Sequence, residues 1–283
     1  MRFVTYRANG QASYGLLRGT DIVDLASRLG AQAPTLRALI ETGRAAELVA
    51  PHAQAAADHQ LGQVELLPVI PDPSLIACIG HNYEAHRIET GREVVGNPSV
   101  FLRIPDSLQG ADQPLLMPRE SDRFDYEGEL AIVIGKGGRR IPEAEAWDHV
   151  FGVSCFNDGS VRDYQRHTAQ FIPGKNFPLT GSFGPALVTL DELPADRVVE
   201  LTTRLNGEVM QNAKTDQLIF PIPRLIAYIS TWATLRPGDV IVTGTPGGVG
   251  DKRNPQRFMK DGEVVEVEIS SVGLLRNVVK KEA

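Results

Sequence analysis

The stretch Phe124-Asp125-Tyr126-Glu127-Gly128-Glu129-Leu130-Ala131-Ile132-Val133-Ile134-Gly135-Lys136 limits the possible folds most, because an apolar run is opened by carboxylates at every second position. Such a run reads as a strand, and alternate residues of a strand share one face. Asp125, Glu127 and Glu129 are therefore expected to point the same way, with same-face neighbours roughly 6 to 7 Å apart. Two unpaired carboxylates converging there would repel each other, and a divalent ion bound between them resolves the conflict. Oxygen donors suit Mg²⁺, Mn²⁺ or Ca²⁺ better than the softer metals that cysteine selects. For an isolated Glu-x-Glu the competing reading is a solvated strand edge.

Composition narrows the function classes. A chain of 283 residues can bury a large core, and its formal charge of -6 carries no clustered basic surface of the kind that nucleic acid requires. The two cysteines, Cys78 and Cys155, lie in apolar runs and read as buried thiols. No apolar run approaches membrane-spanning length, and residues 1–7 lack a signal-peptide core, so a cytoplasmic protein is expected.

Residues 1–68 read as a small N-terminal α+β unit. Arg2 to Arg7 alternates as a strand, Asn9-Gly10 is a hairpin turn, and Leu36 to about His59 has helical periodicity. Pro68, Pro71 and Pro73 mark the expected boundary to a second domain, 69–283. There Leu75 to Ile79 is a short strand that runs into Gly80-His81-Asn82-Tyr83. If a helical turn follows, His86 and Glu89 are three apart on one face, and a carboxylate beside an imidazole raises its basicity. A surface ion pair is the plain alternative. Val150 to Phe156 is another strand, delivering Asp158 at its end as a candidate third carboxylate. A simple Asn157-Asp158-Gly159 turn competes with that reading. Lys175 follows Gly174 and could pair with a substrate carboxylate or stand as a solvated loop lysine. Asn206-Gly207 is a hairpin signal, and Ile222 to Leu235 reads as an amphipathic helix. Gly244-Thr245-Pro246-Gly247-Gly248-Val249-Gly250 is not a phosphate-binding P-loop, since no Gly-Lys-Ser/Thr follows.

Taken together, Gly80-His81-Asn82-Tyr83 with His86, Asp125-Tyr126-Glu127-Gly128-Glu129-Leu130, Phe156-Asn157-Asp158, Arg162-Asp163, Gly174-Lys175, Asn206-Gly207-Glu208 and Thr243-Gly244-Thr245-Pro246 resemble the fumarylacetoacetate hydrolase family over about residues 70 to 280. The resemblance implies a β-rich α+β protein: a mixed β-roll catalytic domain with a small N-terminal α+β domain, assembled as a homodimer. It puts a divalent metal, Mg²⁺ or Mn²⁺ with Ca²⁺ as a substitute, on Glu127, Glu129 and Asp158. It puts the catalytic roles on His86, Glu89 and Lys175, and substrate contacts on His81, Tyr83, Arg103, Arg162, Gln165 and Thr245. His81 and Arg103 depart from the side chains frequent in relatives at these positions, which bears on the substrate more than on the reaction type.

The implied reaction is hydrolysis of a carbon-carbon bond in a β-diketo acid such as an acylpyruvate, with His86 deprotonating a water and Lys175 stabilising developing negative charge. Oxaloacetate decarboxylation, or a hydratase, isomerase or lyase reaction of a 2-oxo acid, is the alternative on the same fold. A non-catalytic small-molecule binding protein is the alternative from a different class. In each case the expected partner is a small anionic 2-oxo acid, with no nucleic acid and no membrane.

Overall fold

The computed structural model describes residues 1–283. Its backbone is built around a twelve-stranded mixed sheet whose main path runs His59–Gln60, Asp21–Asp24, Gln11–Arg18, Arg2–Ala8, Gly181–Thr189, Val150–Asn157, Gly128–Ile134, Val240–Val242, Ile76–Gly80, Ser99–Leu102. A five-stranded sheet, in the order Glu208–Lys214, Glu200–Leu205, Val264–Ile269, Gly273–Lys281, Leu115–Met117, packs beside it. The acidic run forms the strand Gly128–Ile134, buried along its whole length. It pairs antiparallel with Val150–Asn157 on one side and with Val240–Val242 on the other.

Alternation along this strand feeds two cores. Leu130, Ile132 and Ile134 belong to the cluster that contains Leu225, Ile226 and Ile229 of the helix Ile222–Trp232. Ala131 and Val133 belong to the cluster that contains Phe3, Leu36, Leu39 and Ile40. Period-two alternation thus sends successive residues to opposite layers, one roofed by the long helix and the other by the N-terminal segment.

The segment 1–68 is joined to the rest of the chain through the sheet: Arg2 and Phe3 pair antiparallel with Val188 and Leu187, so the N-terminal strands extend the large sheet and share its core. The helical region expected from Leu36 to His59 breaks into Leu36–Glu41 and Ala45–Val49, with Gly43 between them at φ +64°. The long helix ends at Trp232, three residues before the expected Leu235. Both hairpin turns form as read: Asn9 and Gly10 have φ of 50° and 79°, and Asn206 and Gly207 have 52° and 82°. These are the positive values that two-residue turns demand.

Candidate active site

Antiparallel register assembles the acidic cluster. Gly128 lies opposite Asn157, and the Asp158 N–H donates to the Glu127 carbonyl at 2.8 Å, so Asp158 emerges beside the paired glutamates. The Asn157 amide oxygen accepts from the Glu127 N–H at 3.1 Å and fixes the turn into the strand. Carboxylate oxygens of Glu127, Glu129 and Asp158 lie within 4.8 Å of one another, and all three residues are buried. Asp125 is not part of this cluster. Its carboxylate accepts from Arg162 Nε at 2.8 Å and from the N–H groups of Tyr126, Gly250 and Asp251 at 2.9 Å each. Burial raises the Asp125 carboxyl against the opposing pull of Arg162, and with four donors aimed at it we take it as ionised.

Three cations surround these four carboxylates, leaving one negative charge without a partner. Lys175 Nζ lies 2.6 Å from both Glu127 and Asp158. Arg162 bridges Asp125 and Glu127, the latter at 2.6 Å. Arg103 holds Asp158 at 2.6 Å. Burial opposes ionisation of Glu127, but Arg162 and Lys175 outweigh it and hold that carboxyl well below the usual range. Glu129 has only the Gly244 N–H, at 2.6 Å. Burial, followed by the charges of Asp158 and Glu127, pushes its carboxyl well above the usual range. A buried oxygen cluster lacking one positive charge, with an ammonium already seated between two of its members, is a donor set that fits a hard divalent cation.

His86 and Glu89 lie on the helix Glu84–Glu89, with Nδ1 and Oε1 2.6 Å apart. The other Glu89 oxygen accepts from the Gly248 N–H at 3.0 Å, which ties the pair to the glycine-dense loop. Gly248 has φ +104°, and an added Cβ would collide with the Met210 carbonyl, so this turn requires glycine. With Nδ1 committed to Glu89, the Nε2 atom is left for chemistry. The His81 ring stacks on His86 with centroids 5.1 Å apart. Burial and the neighbouring His86 pull the His81 imidazole down to about 4.

A cavity of about 120 Å³ is lined by His81, His86, Glu127, Glu129, Arg162, Gln165, Lys175 and Thr245 among others. It opens to an outer cavity of about 720 Å³, sharing His81, Arg92, Gln165, Arg166 and Phe171 with it. Two residues expected at the substrate are elsewhere. Tyr83 is 2% exposed within the hydrophobic core, and its ring does not line the cavity. Arg103 spends its guanidinium on Ser107, Asp158, Gly159 and Thr180 behind the acidic cluster, where it orients Asp158. Sequence reading missed Gln211, which accepts from the Gly128 N–H at 3.0 Å and donates to Thr245 Oγ1 at 2.8 Å. Gln211 is a polar residue in an otherwise ordinary strand, and only its burial marks it. Asn82, read in the sequence only as a member of the Gly80-to-Tyr83 motif, bonds Thr243 and Phe220 through its amide.

The family model "Fumarylacetoacetate (FAA) hydrolase C-terminal" matches residues 75–280. An oxaloacetate tautomerase of Xenopus laevis mitochondria is 38% identical over 287 residues, covering 99% of this chain and 90% of that protein. An oxaloacetate tautomerase of Bacillus subtilis is 40% identical over 225 residues, 78% of this chain and 75% of that one. Among solved structures, a fumarylacetoacetate hydrolase of Exiguobacterium antarcticum superposes with a TM-score of 0.85 at 32% identity, both chains being covered in full. A maleylpyruvate hydrolase of Sphingobium sp. SYK-6, in complex with manganese(II) and pyruvate, gives 0.83 at 29% identity with full coverage of both chains. The chain belongs to the fumarylacetoacetate hydrolase family.

Proposed function

We propose that this protein catalyses metal-dependent keto–enol interconversion of an oxaloacetate-type 2-oxo acid. The observation that carries the reading is the meeting, in one cavity, of a buried carboxylate cluster short of one positive charge and an imidazole locked 2.6 Å from its own carboxylate. A Mg²⁺ or Mn²⁺ ion held by Glu127, Glu129 and Asp158 would supply Lewis acidity toward the oxygens of the 2-oxo acid. In enolisation His86 Nε2 takes a proton from the carbon next to the 2-oxo group and the enolate oxygen takes one from water. In ketonisation the enol O–H proton passes to water and His86 returns a proton to that carbon. Glu89 holds the ring and stabilises the imidazolium formed in between. Burial alone would favour neutral Lys175, but the charges of Asp158 and Glu127 raise it, so it acts as a fixed cation beside the developing enolate and not as a base. Arg162, Gln165, Thr245 and a neutral His81 complete the wall against which the substrate is oriented. The tautomerase names of relatives at 38 and 40% identity support this choice of reaction.

Hydrolysis of an acylpyruvate-type carbon-carbon bond is the second reading. It is favoured by the same His86–Glu89 pair, which could equally deprotonate a water, and by the similarity to a maleylpyruvate hydrolase. The deciding experiment follows the ultraviolet absorbance of enol-oxaloacetate with Mn²⁺ or Mg²⁺, with and without chelator, beside pyruvate release from an acylpyruvate. Accelerated, chelator-sensitive ketonisation is expected. No acceleration over buffer with either ion, together with pyruvate release from the acylpyruvate, would replace the first reading with the second.

A further inference from the structure

Five cations line the inner cavity: Arg92, Arg162, Arg166, Lys175 and Lys252. Four of them are answered by carboxylates. Arg162 has Asp125 and Glu127, Lys175 has Glu127 and Asp158, Arg166 has Asp251 at 2.5 Å, and Lys252 has the same Asp251 at 3.5 Å. The Arg92 guanidinium alone makes no hydrogen bond and no ion pair. Only the backbone of Arg92 is engaged, its carbonyl accepting from the Arg87 guanidinium at 2.5 Å and its N–H donating to the Arg87 carbonyl at 3.1 Å. The neighbouring acids are spent or distant: Glu84 is held by Arg87, and Glu93 forms no ion pair with Arg92.

Position adds to the argument. Arg92 lines both the inner and the outer cavity, so it stands at the mouth, whereas Glu127, Glu129 and Lys175 line only the inner one. A 2-oxo acid whose carboxylate and oxo oxygens face the acidic cluster therefore turns its far end toward Arg92. A free guanidinium presents a planar fork that matches a carboxylate in a bidentate pair.

We propose that Arg92 receives the second carboxylate of the substrate and makes the site selective for 2-oxo diacids over monoacids of the same backbone. The inference rests on the 2-oxo acid reading above and deepens it by naming the substrate class and the residue that selects it.

The test uses the full-length, Mn²⁺-loaded protein and its Arg92→Gln and Arg92→Lys variants. Calorimetry compares malate with lactate, two unreactive 2-hydroxy acids that differ by the distal carboxylate, and kinetics follow oxaloacetate ketonisation. Wild type is expected to bind malate about 10- to 100-fold tighter than lactate, the range of a hydrogen-bonded charge pair. Arg92→Gln should lose that preference, with lactate and Mn²⁺ affinity unchanged. Its KM for oxaloacetate should rise by a similar factor with kcat nearly constant, as loss of uniform binding requires. Arg92→Lys should recover part of the preference. Equal binding of malate and lactate by wild type, or a preference retained in Arg92→Gln, overturns the proposal. If wild type fails to interconvert oxaloacetate tautomers, the reaction assignment fails, and the malate-to-lactate ratio still decides the role of Arg92.

Discussion

Glu127 and Asp158 each touch two cations, whereas Glu129 is met by a single backbone N–H, so the three carboxylates of the cluster should respond differently to neutralisation. Glu129→Gln replaces a carboxyl whose ionisation the metal-free fold opposes through burial and the charges of Asp158 and Glu127. The metal-free variant should unfold at a higher temperature than wild type, while calorimetric Mn²⁺ binding is lost. Glu127→Gln instead takes one of two carboxylate partners from both Arg162 and Lys175 and should cost about 3–5 kcal/mol in denaturant unfolding, the usual penalty for breaking a buried pair from one side. A Glu129→Gln protein no more stable than Glu127→Gln would mean that the charge balance has been misread. His86 is not a member of the cluster, so His86→Ala should leave Mn²⁺ affinity intact and lower turnover by about 10² to 10⁴, the usual span for a general base. His81 has its own signature. Its imidazole is pulled from an ordinary value of 6.5 to about 4 in the folded protein, so between those limits the unfolded chain binds the extra proton. The contribution is complete above about pH 6.5 and is lost as pH falls toward 4. Urea midpoints of wild type should therefore drop more steeply across that window than those of His81→Asn, a residue that tolerates the φ of +56° found there.

At the scale of elements, the site depends on how closely two strand ends approach. Gly159 follows Asp158, and an added Cβ there would run into the Thr180 carbonyl, which as backbone cannot swing aside. Gly159→Ala should therefore cost about 1–3 kcal/mol by overpacking, and it should weaken Mn²⁺ binding because the displaced backbone carries Asp158. Unchanged metal affinity in a destabilised variant would show that the cluster adapts. The same geometry explains what could be read beforehand. Alternating acids at Glu127 and Glu129 and a three-residue spacing from His86 to Glu89 are local patterns, so the paired glutamates and the imidazole–carboxylate pair were visible in the sequence. The strand Gly181–Thr189 was not. Its Gly-Ser-Phe-Gly-Pro opening resembles a loop, yet it lies at the middle of the sheet, and Pro185 is accommodated where the register with Val150–Asn157 slips between Val153 and Cys155. Arg103 and Tyr83 escaped for a related reason. Whether an arginine faces a ligand or backs a carboxylate is decided by strands far apart in the chain, here through Ser107, Asp158 and Thr180.

Across the whole molecule, the segments on either side of the three prolines after Leu67 are tied together through one sheet. Phe3, Tyr14, Leu36 and Leu39 share one buried cluster with Cys78, Ala131, Val133 and Phe183, and Phe3 pairs in register with Leu187. A fragment comprising residues 69–283 would expose that apolar face and leave Gly181–Thr189 as an open sheet edge, a template for association with other chains. The N-terminal segment feeds both cores of the sheet: Phe3, Tyr14, Leu36 and Leu39 join this cluster, while Val4, Tyr6, Ile22 and Leu66 join the one beneath the long helix. Thermal unfolding of the intact chain should accordingly show one transition, coincident by near- and far-ultraviolet circular dichroism, with no earlier step from the first 68 residues. The fragment 69–283 should be insoluble or strongly associated and should fail to bind Mn²⁺. A soluble, monomeric fragment that binds the ion as well as the full chain would show instead that the shared sheet is an attachment and not a structural requirement of the site.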